Sequence, residues 1–460
     1  GSLPQNLAIN HKTDKVYVAN NVGNSVTIIN GKTGQKDTTI TVGAAPYFVG
    51  INEKTNRIYI PNNISNTVSV INGATKTVEA TIAVGTGPRA AVVNDITNKI
   101  YVPADYTANP GKVYVIDGAT NVVESTITVG QRPIAVAINK TTNKIYVANN
   151  WGNNVTAIDG ATGNTETIAV GNSPRHVAVN DSTNKVYVVN YRDSSITVID
   201  GKTNLTDTVC LAQNAYPWAA AVNRITNKIY ISNSGTNSVM VIDGETNATK
   251  IISAGKAPQA IAVNEATNRI YVGNYNSDSR SNAGYVITEI DGLTDEIVGL
   301  ACVKNPAELV VNVKDNKTYV INSNQVKSIE EFKPEIAVSR DTLEVAAGSG
   351  SASFQISSNI TWRIIPNQTW VTLSDTTGTG NRTVTVTVSA NASPSERRAT
   401  IALFMGYDTD TLSVQIVQSG AAILSVSTNS LNVAAESGSA ASFNVASNIN
   451  WTVVSNQTWL

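Results

Sequence analysis

Residues 133–160 decide how the chain folds. They read Pro133-Ile134-Ala135-Val136-Ala137-Ile138-Asn139, turn, Asn143-Lys144-Ile145-Tyr146-Val147-Ala148-Asn149, and close on Val155-Thr156-Ala157-Ile158-Asp159-Gly160. Apolar and β-branched residues alternate in short runs, and Asn, Thr, Asp and Gly fill the gaps. That is the period-two pattern of strands joined by turns, with no persuasive helical period. The stretch is one copy of a repeat. Its Tyr recurs as Tyr17, Tyr59, Tyr101, Tyr146, Tyr187, Tyr230, Tyr271 and Tyr319, at spacings of 42, 42, 45, 41, 43, 41 and 48 residues. Its Pro recurs as Pro4, Pro46, Pro88, Pro133, Pro174, Pro217, Pro258 and Pro306. A Thr-Ile-x-Val-Gly phrase, as at Thr81 to Gly85 and Thr126 to Gly130, stands ahead of the next Pro.

Each unit supplies four short strands, and a four-stranded sheet cannot bury both faces alone. Stacking the sheets as blades around an axis buries them, which predicts an all-β chain opening with a β-propeller. The expectation is eight four-stranded blades over residues 1–333, with seven as the alternative. Gly1-Ser2-Leu3-Pro4 aligns with Gly43-Ala44-Ala45-Pro46, and the unit from Pro306 to Phe332 has three strand phrases and no fourth. The two ends are therefore expected to meet, with the last blade incomplete unless an upstream strand completes it.

The phrases Tyr17-Val18-Ala19-Asn20, Tyr146-Val147-Ala148-Asn149 and Tyr187-Val188-Val189-Asn190 resemble the YVTN β-propeller repeat. The Asp-Gly turns and Val-Gly-x-x-Pro junctions resemble it too. The resemblance covers residues 1 to about 333. It implies a surface-exposed prokaryotic propeller of the secreted or S-layer type, commonly seven-bladed. Beyond Pro334 a different unit begins and then repeats. Leu343-Glu344-Val345-Ala346-Ala347 returns as Leu431-Asn432-Val433-Ala434-Ala435, Ser358-Asn359-Ile360-Thr361-Trp362 as Ser447-Asn448-Ile449-Asn450-Trp451, and Asn367-Gln368-Thr369-Trp370 as Asn456-Gln457-Thr458-Trp459. This unit resembles the BACON domain, an immunoglobulin-like β-sandwich named for presumed carbohydrate binding. Residues 334–420 hold a complete copy. Residues 421–460 hold the N-terminal half of a second, too short to close a sandwich core of roughly 100 residues.

Composition excludes several functions. Lys+Arg number 33 against Asp+Glu 34, for a net charge of −1, which is no footprint for nucleic acid or an anionic membrane. With 2 His and 2 Cys, neither a zinc cluster nor a disulfide scaffold is expected. No metal, no cofactor and no membrane span are expected. Cys210 and Cys302 lie two units apart, too far for a neighbouring disulfide, and read as free or buried thiols. The insert from Asn276 to Asn282 places Arg280 where a calcium loop needs a ligand, and reads as a solvated loop. Asp408 and Asp410 read as hairpin turn residues.

With strands labelled A to D from the axis outward, the A–B and C–D loops share one end of the ring, and the D–A and B–C loops the other. The first set repeats Asn-x-x-Thr-Asn-Lys/Arg and Asp-Gly-x-Thr-Asn, which turn geometry explains. The second set varies, and variable loops on a constant scaffold are where recognition sits. Residues after the D–A Pro point to the channel mouth: Tyr47, Phe48, Arg89, Arg175, His176, Trp218 and Gln259, with Ala307 and Glu308 in the last unit. The B–C loops add Trp151, Tyr191, Arg192 and Tyr275, and also Tyr106. Aromatic rings stack on sugars or peptide side chains, and Arg forks onto carboxylates.

These features suggest a non-enzymatic binding or adhesion protein, extracellular, secreted or attached to a cell surface, and monomeric in isolation. Its propeller would recognise a glycan or a protein, and its BACON-like domains would space it or bind carbohydrate. One alternative is a lyase or hydrolase working around His176, for which a carboxylate or metal within hydrogen-bond reach would be needed. Another is an envelope building block with no small ligand.

Overall fold

The computed structural model describes residues 1–275, 286–303, 305–322, 325–330, 336–358, 361–405 and 411–458, and every regular element in them is a strand. The insert from Asn276 to Asn282, with Arg280, and the aspartates Asp408 and Asp410 lie outside the described residues. The chain divides into two compact units, Gly1–Phe332 and Lys333–Leu460.

In the first unit, seven four-stranded sheets and one three-stranded sheet follow each other, each pairing its strands in chain order. The first sheet is typical, with Pro4–Asn10, Lys15–Asn20, Ser25–Asn30 and Lys36–Thr41 as strands A to D. Strands B and C are buried almost throughout, whereas strand D alternates between exposed and half-buried residues. The eighth sheet, Pro306–Asn312, Lys317–Asn322 and Gln325–Glu330, packs on the first. There Tyr319 and Ile321 share a core with Leu7, Ile9, Val16 and Val18.

The repeated Asn residues are what join one sheet to the next. The Asn that ends each strand A accepts an N–H bond from the residue two positions on, and in most sheets also from the one three positions on, as Asn10 does from Lys12 and Thr13. Its amide donates to the A–B turn of the next sheet: Asn10 to Asn56, Asn52 to Asn98, Asn94 to Asn143, Asn139 to Asn184, Asn180 to Asn227, Asn223 to Asn268 and Asn264 to Asn316, at 2.7–3.2 Å. Each accepting Asn stands at positive φ, 53° at Asn56 and 55° at Asn184, a conformation Asn and Asp tolerate best after Gly. Asn312 makes the same bond to Asp14 at 2.7 Å, across a separation of 298 residues, and so ties the end of the ring to its beginning.

The repeated Tyr fills the wedge between sheets. Tyr17 packs with Val26 and Ile28 of its own sheet and Val49, Ile58 and Ile60 of the next. Burying a Tyr ring removes about 200 Å² from water, on the order of 5 kcal/mol at 25 cal/mol/Å². The hydroxyls of Tyr17, Tyr59, Tyr146 and Tyr187 find no partner among the described residues, which costs about 1–3 kcal/mol each, so ring burial wins. Burial pushes all four hydroxyls up to about 12. Tyr319 differs: its hydroxyl donates to the Gly31 carbonyl at 2.6 Å, across the closing seam.

In the second unit, strands Ile336–Val338, Gly350–Ser358, Arg382–Val388 and Val371–Leu373 form one sheet; Thr342–Val345, Thr411–Gln418, Arg397–Met405, Thr361–Pro366 and Thr377–Thr379 form the other. Phe354, Trp362, Val384, Val386, Leu403 and Ile416 fill the space between, as in an immunoglobulin-like sandwich. The Trp residues of the diagnostic phrases have structural work. Trp362 is fully buried and donates Nε1–H to the Gly380 carbonyl at 2.9 Å. Trp370 packs against the core with the Arg397 guanidinium 4.1 Å from its ring. The second copy forms a single strand pair, Leu424–Val426 with Val445–Ser447, among its described residues. Trp451 is 47% exposed where its counterpart Trp362 is 0%, since no second sheet packs over it among the described residues.

Candidate functional site

The first strands of the propeller sheets enclose a cavity of about 300 Å³ at the end of the ring where the D–A and B–C loops gather. Local backbone irregularity aims side chains into it. Pro174 pairs with Asn190 and His176 with Val189, so Arg175 is an unpaired bulge residue turned out of the ladder. The same skip isolates Trp218 and Gln259, and in the last sheet it widens to take in Ala307 and Glu308. The residue before the Pro adopts positive φ, 57° at Arg132 and 45° at Tyr216. Strand A shortens to Gly50–Asn52 and Val92–Asn94 in the second and third sheets, which leaves Tyr47 and Arg89 outside the ladder.

The lining includes Tyr47, Arg89, Arg175, His176, Trp218 and Gln259, and brings Tyr106, Arg132, Asn150 and Glu308 beside them. Trp151 stands at the rim, exposed, and joins the cluster through Arg132. Tyr191 packs edge-on to Trp218 at 5.9 Å. Phe48, Arg192 and Tyr275 do not line the cavity, and Arg192 and Tyr275 are exposed. Arg132 escaped the sequence reading because it precedes the Pro rather than following it. It is nonetheless the only charged residue among Leu3, Ala45, Gly87, Arg132, Ser173, Tyr216, Ala257 and Asn305, which hold that place in the repeat.

Most of the aromatic rings carry guanidiniums. Arg89 lies 4.1 Å from the Tyr106 centroid and 5.1 Å from that of Tyr47. Arg132 lies 4.7 Å from Tyr106 and 4.6 Å from Trp151, and donates to the Tyr106 hydroxyl. Arg175 lies 3.4 Å from Trp218 and 5.9 Å from Tyr191. Stacking holds these cations in place without neutralising them. Burial, with Arg132 nearby, lowers the Arg175 pKa. No carboxylate forms an ion pair with the three among the described residues, and Nε of Arg89 and of Arg132 is buried without a partner.

His176 and Glu308 retain some solvent access along the channel while protein surrounds them. Burial, with a smaller push from Arg175, holds His176 down at about 4, so it is neutral at ordinary pH. Its Nδ1 accepts the Ala220 N–H at 3.4 Å, and no carboxylate orients it among the described residues. Burial raises Glu308 to about 7.

The opposite mouth differs. Its cavity of about 620 Å³ includes His11, Lys140, Asp181, Arg224 and Glu265. Charges there are paired: Arg224 with Glu265 at 2.9 Å and Lys140 with Asp95 at 2.8 Å. Among the described residues, no three His, Cys, Asp or Glu group to hold a metal, and no helix is long and apolar enough to cross a membrane. Cys210 is an exposed free thiol, and the side chain of Cys302 lies outside the described residues.

Comparison with known proteins agrees with this architecture. Residues 4–164 match a family model described as YNCE-like β-propeller, and residues 163–283 one described as lactonase, 7-bladed β-propeller. Residues 361–419 match BACON, described as a putative binding domain. Among solved structures, Kuenenia stuttgartiensis hydrazine synthase is similar at 17% identity and a TM-score of 0.51, over 72% of this chain and 97% of that one. At that identity the likeness extends to the fold alone. No curated protein matches.

Proposed function

We propose that this chain, a β-propeller followed by a BACON domain, is a secreted or cell-surface binding protein whose recognition site is the arginine-lined channel mouth. One observation carries the reading: three cations, stacked on aromatic rings and without an ion-pair partner among the described residues, line a cavity at the end of the ring built from variable loops. A scaffold gains no stability from gathering three cations without an anion beside them, whereas a site for a polar or anionic ligand uses such cations. The ligand would be a glycan or a protein segment. The BACON domain would act as a spacer or a second binding module, although its two diagnostic Trp residues serve its own core.

Screening the full chain on glycan and peptide arrays, beside W218A and R175Q variants, tests this. Binding that both variants lose is the expected result. Binding that neither variant alters would place recognition elsewhere.

The lactonase match supports a second reading, hydrolysis in the same mouth with His176 and Glu308 as its titratable groups. The backbone partner of His176 weighs against it, since no acid among the described residues fixes the ring for proton transfer.

A further inference from the structure

The cationic arc at the mouth has a definite chemistry. Arg89 and Arg132 share the Tyr106 ring, and Arg175 is close enough to Arg132 to feel its charge. Each guanidinium has a face covered by an aromatic ring, so its in-plane N–H groups are what a ligand meets. Guanidinium edges fit a planar, two-oxygen anion, and Arg89, Arg132 and Arg175 all line the cavity. The remaining polar lining, Asn150, His176, Gln259 and Glu308, mixes donors and acceptors. Hydroxyl groups can use both, and a cavity of about 300 Å³ suits a single ring rather than a folded partner. The overall charge of −1 gives no general attraction for polyanions, so the preference is local to the mouth.

We propose that the channel mouth is a carboxylate site and that its ligand is a sugar acid, a glycan residue carrying a carboxylate on its pyranose ring. This inference rests on the reading that the mouth is the recognition site, and it names the substrate class. The arginines fork onto the carboxylate, and Gln259 and Glu308 meet ring hydroxyls.

Calorimetric titration of the full chain with short oligomers of galacturonate, glucuronate and mannuronate, each beside its neutral hexose counterpart, tests the assignment. The expected result is binding of at least one uronate oligomer, with the neutral partner tenfold or more weaker. R132Q and R175Q should each cost about ten- to a hundredfold, as loss of a charged hydrogen bond does, with the cooperative unfolding transition of the propeller retained. R175K, which keeps the charge and loses the fork, should recover only part of the affinity. Neutral oligomers binding as well as acidic ones, with dependence on Trp218, would overturn the carboxylate assignment and leave the recognition site standing. An acidic peptide such as hexaglutamate binding more tightly, with the same arginine dependence, would overturn the sugar. Absence of any glycan or peptide binding at the mouth would overturn both.

Discussion

At each seam between propeller sheets, one side-chain amide holds two blades. The acceptor must tolerate positive φ and present an oxygen, which is why the A–B turn ends in Asn seven times and in Asp once. Asp14 shows that the oxygen is what matters, since no amide is available there. Asn184→Ala removes both the turn preference and the acceptor for Asn139, and should cost about 2–3 kcal/mol. Asn184→Asp keeps both and should stay within about 1 kcal/mol of wild type. Equilibrium urea unfolding measures the difference, and equal losses in the two variants would count against this account of the seam. The same logic explains why the motif was legible in the sequence: a repeated backbone need selects a repeated residue type.

At the scale of the element, the bulged first strand turns a regular repeat into a site. The Pro that opens it was visible in the sequence, and so were Arg175, His176 and Trp218 just after it. What stayed hidden was how cations and rings would pair, because stacking depends on contacts between neighbouring sheets. Aromatic residues that suggested sugar platforms mostly support arginines instead. Arg132 illustrates the limit, for its aim follows from a positive φ before Pro133 that no alternation pattern reveals. Glu308 on the last first strand sets a pH dependence. The groups sharing its cavity are Arg89, Arg132, Arg175, His176, Tyr47 and Tyr106. His176 is neutral above about 4, so Glu308, at about 7, governs the charge of the mouth around neutrality. As pH falls from 8 to 6, Glu308 gains a proton and the cavity loses a negative charge that would repel an anionic ligand. A sugar carboxylate is ionised across that range, so uronate affinity should rise as pH falls and then level off. Titrations at several pH values with wild type and E308Q check this. The variant should be nearly flat, and an identical slope in both would remove Glu308 from the explanation.

At the scale of the molecule, the propeller supplies two chemically different mouths on one scaffold. Where A–B turns gather, ion pairs and the Asn links consume the polar groups; where D–A loops gather, Arg89, Arg132 and Arg175 have no carboxylate partner among the described residues. The all-β class, the ring and its closing seam follow from periodicity and repeat length, and the sandwich from the resemblance to the BACON domain. Occupancy of the mouth does not, because a ligand leaves no period in a sequence. The most direct test of the recognition site is therefore a crystal structure of the full chain grown with a uronate oligomer that binds in solution. The account predicts one ring in the channel mouth, its carboxylate within hydrogen-bond distance of at least two of Arg89, Arg132 and Arg175. A sugar bound only at the opposite mouth or on the BACON domain, with the three arginines untouched, would contradict it.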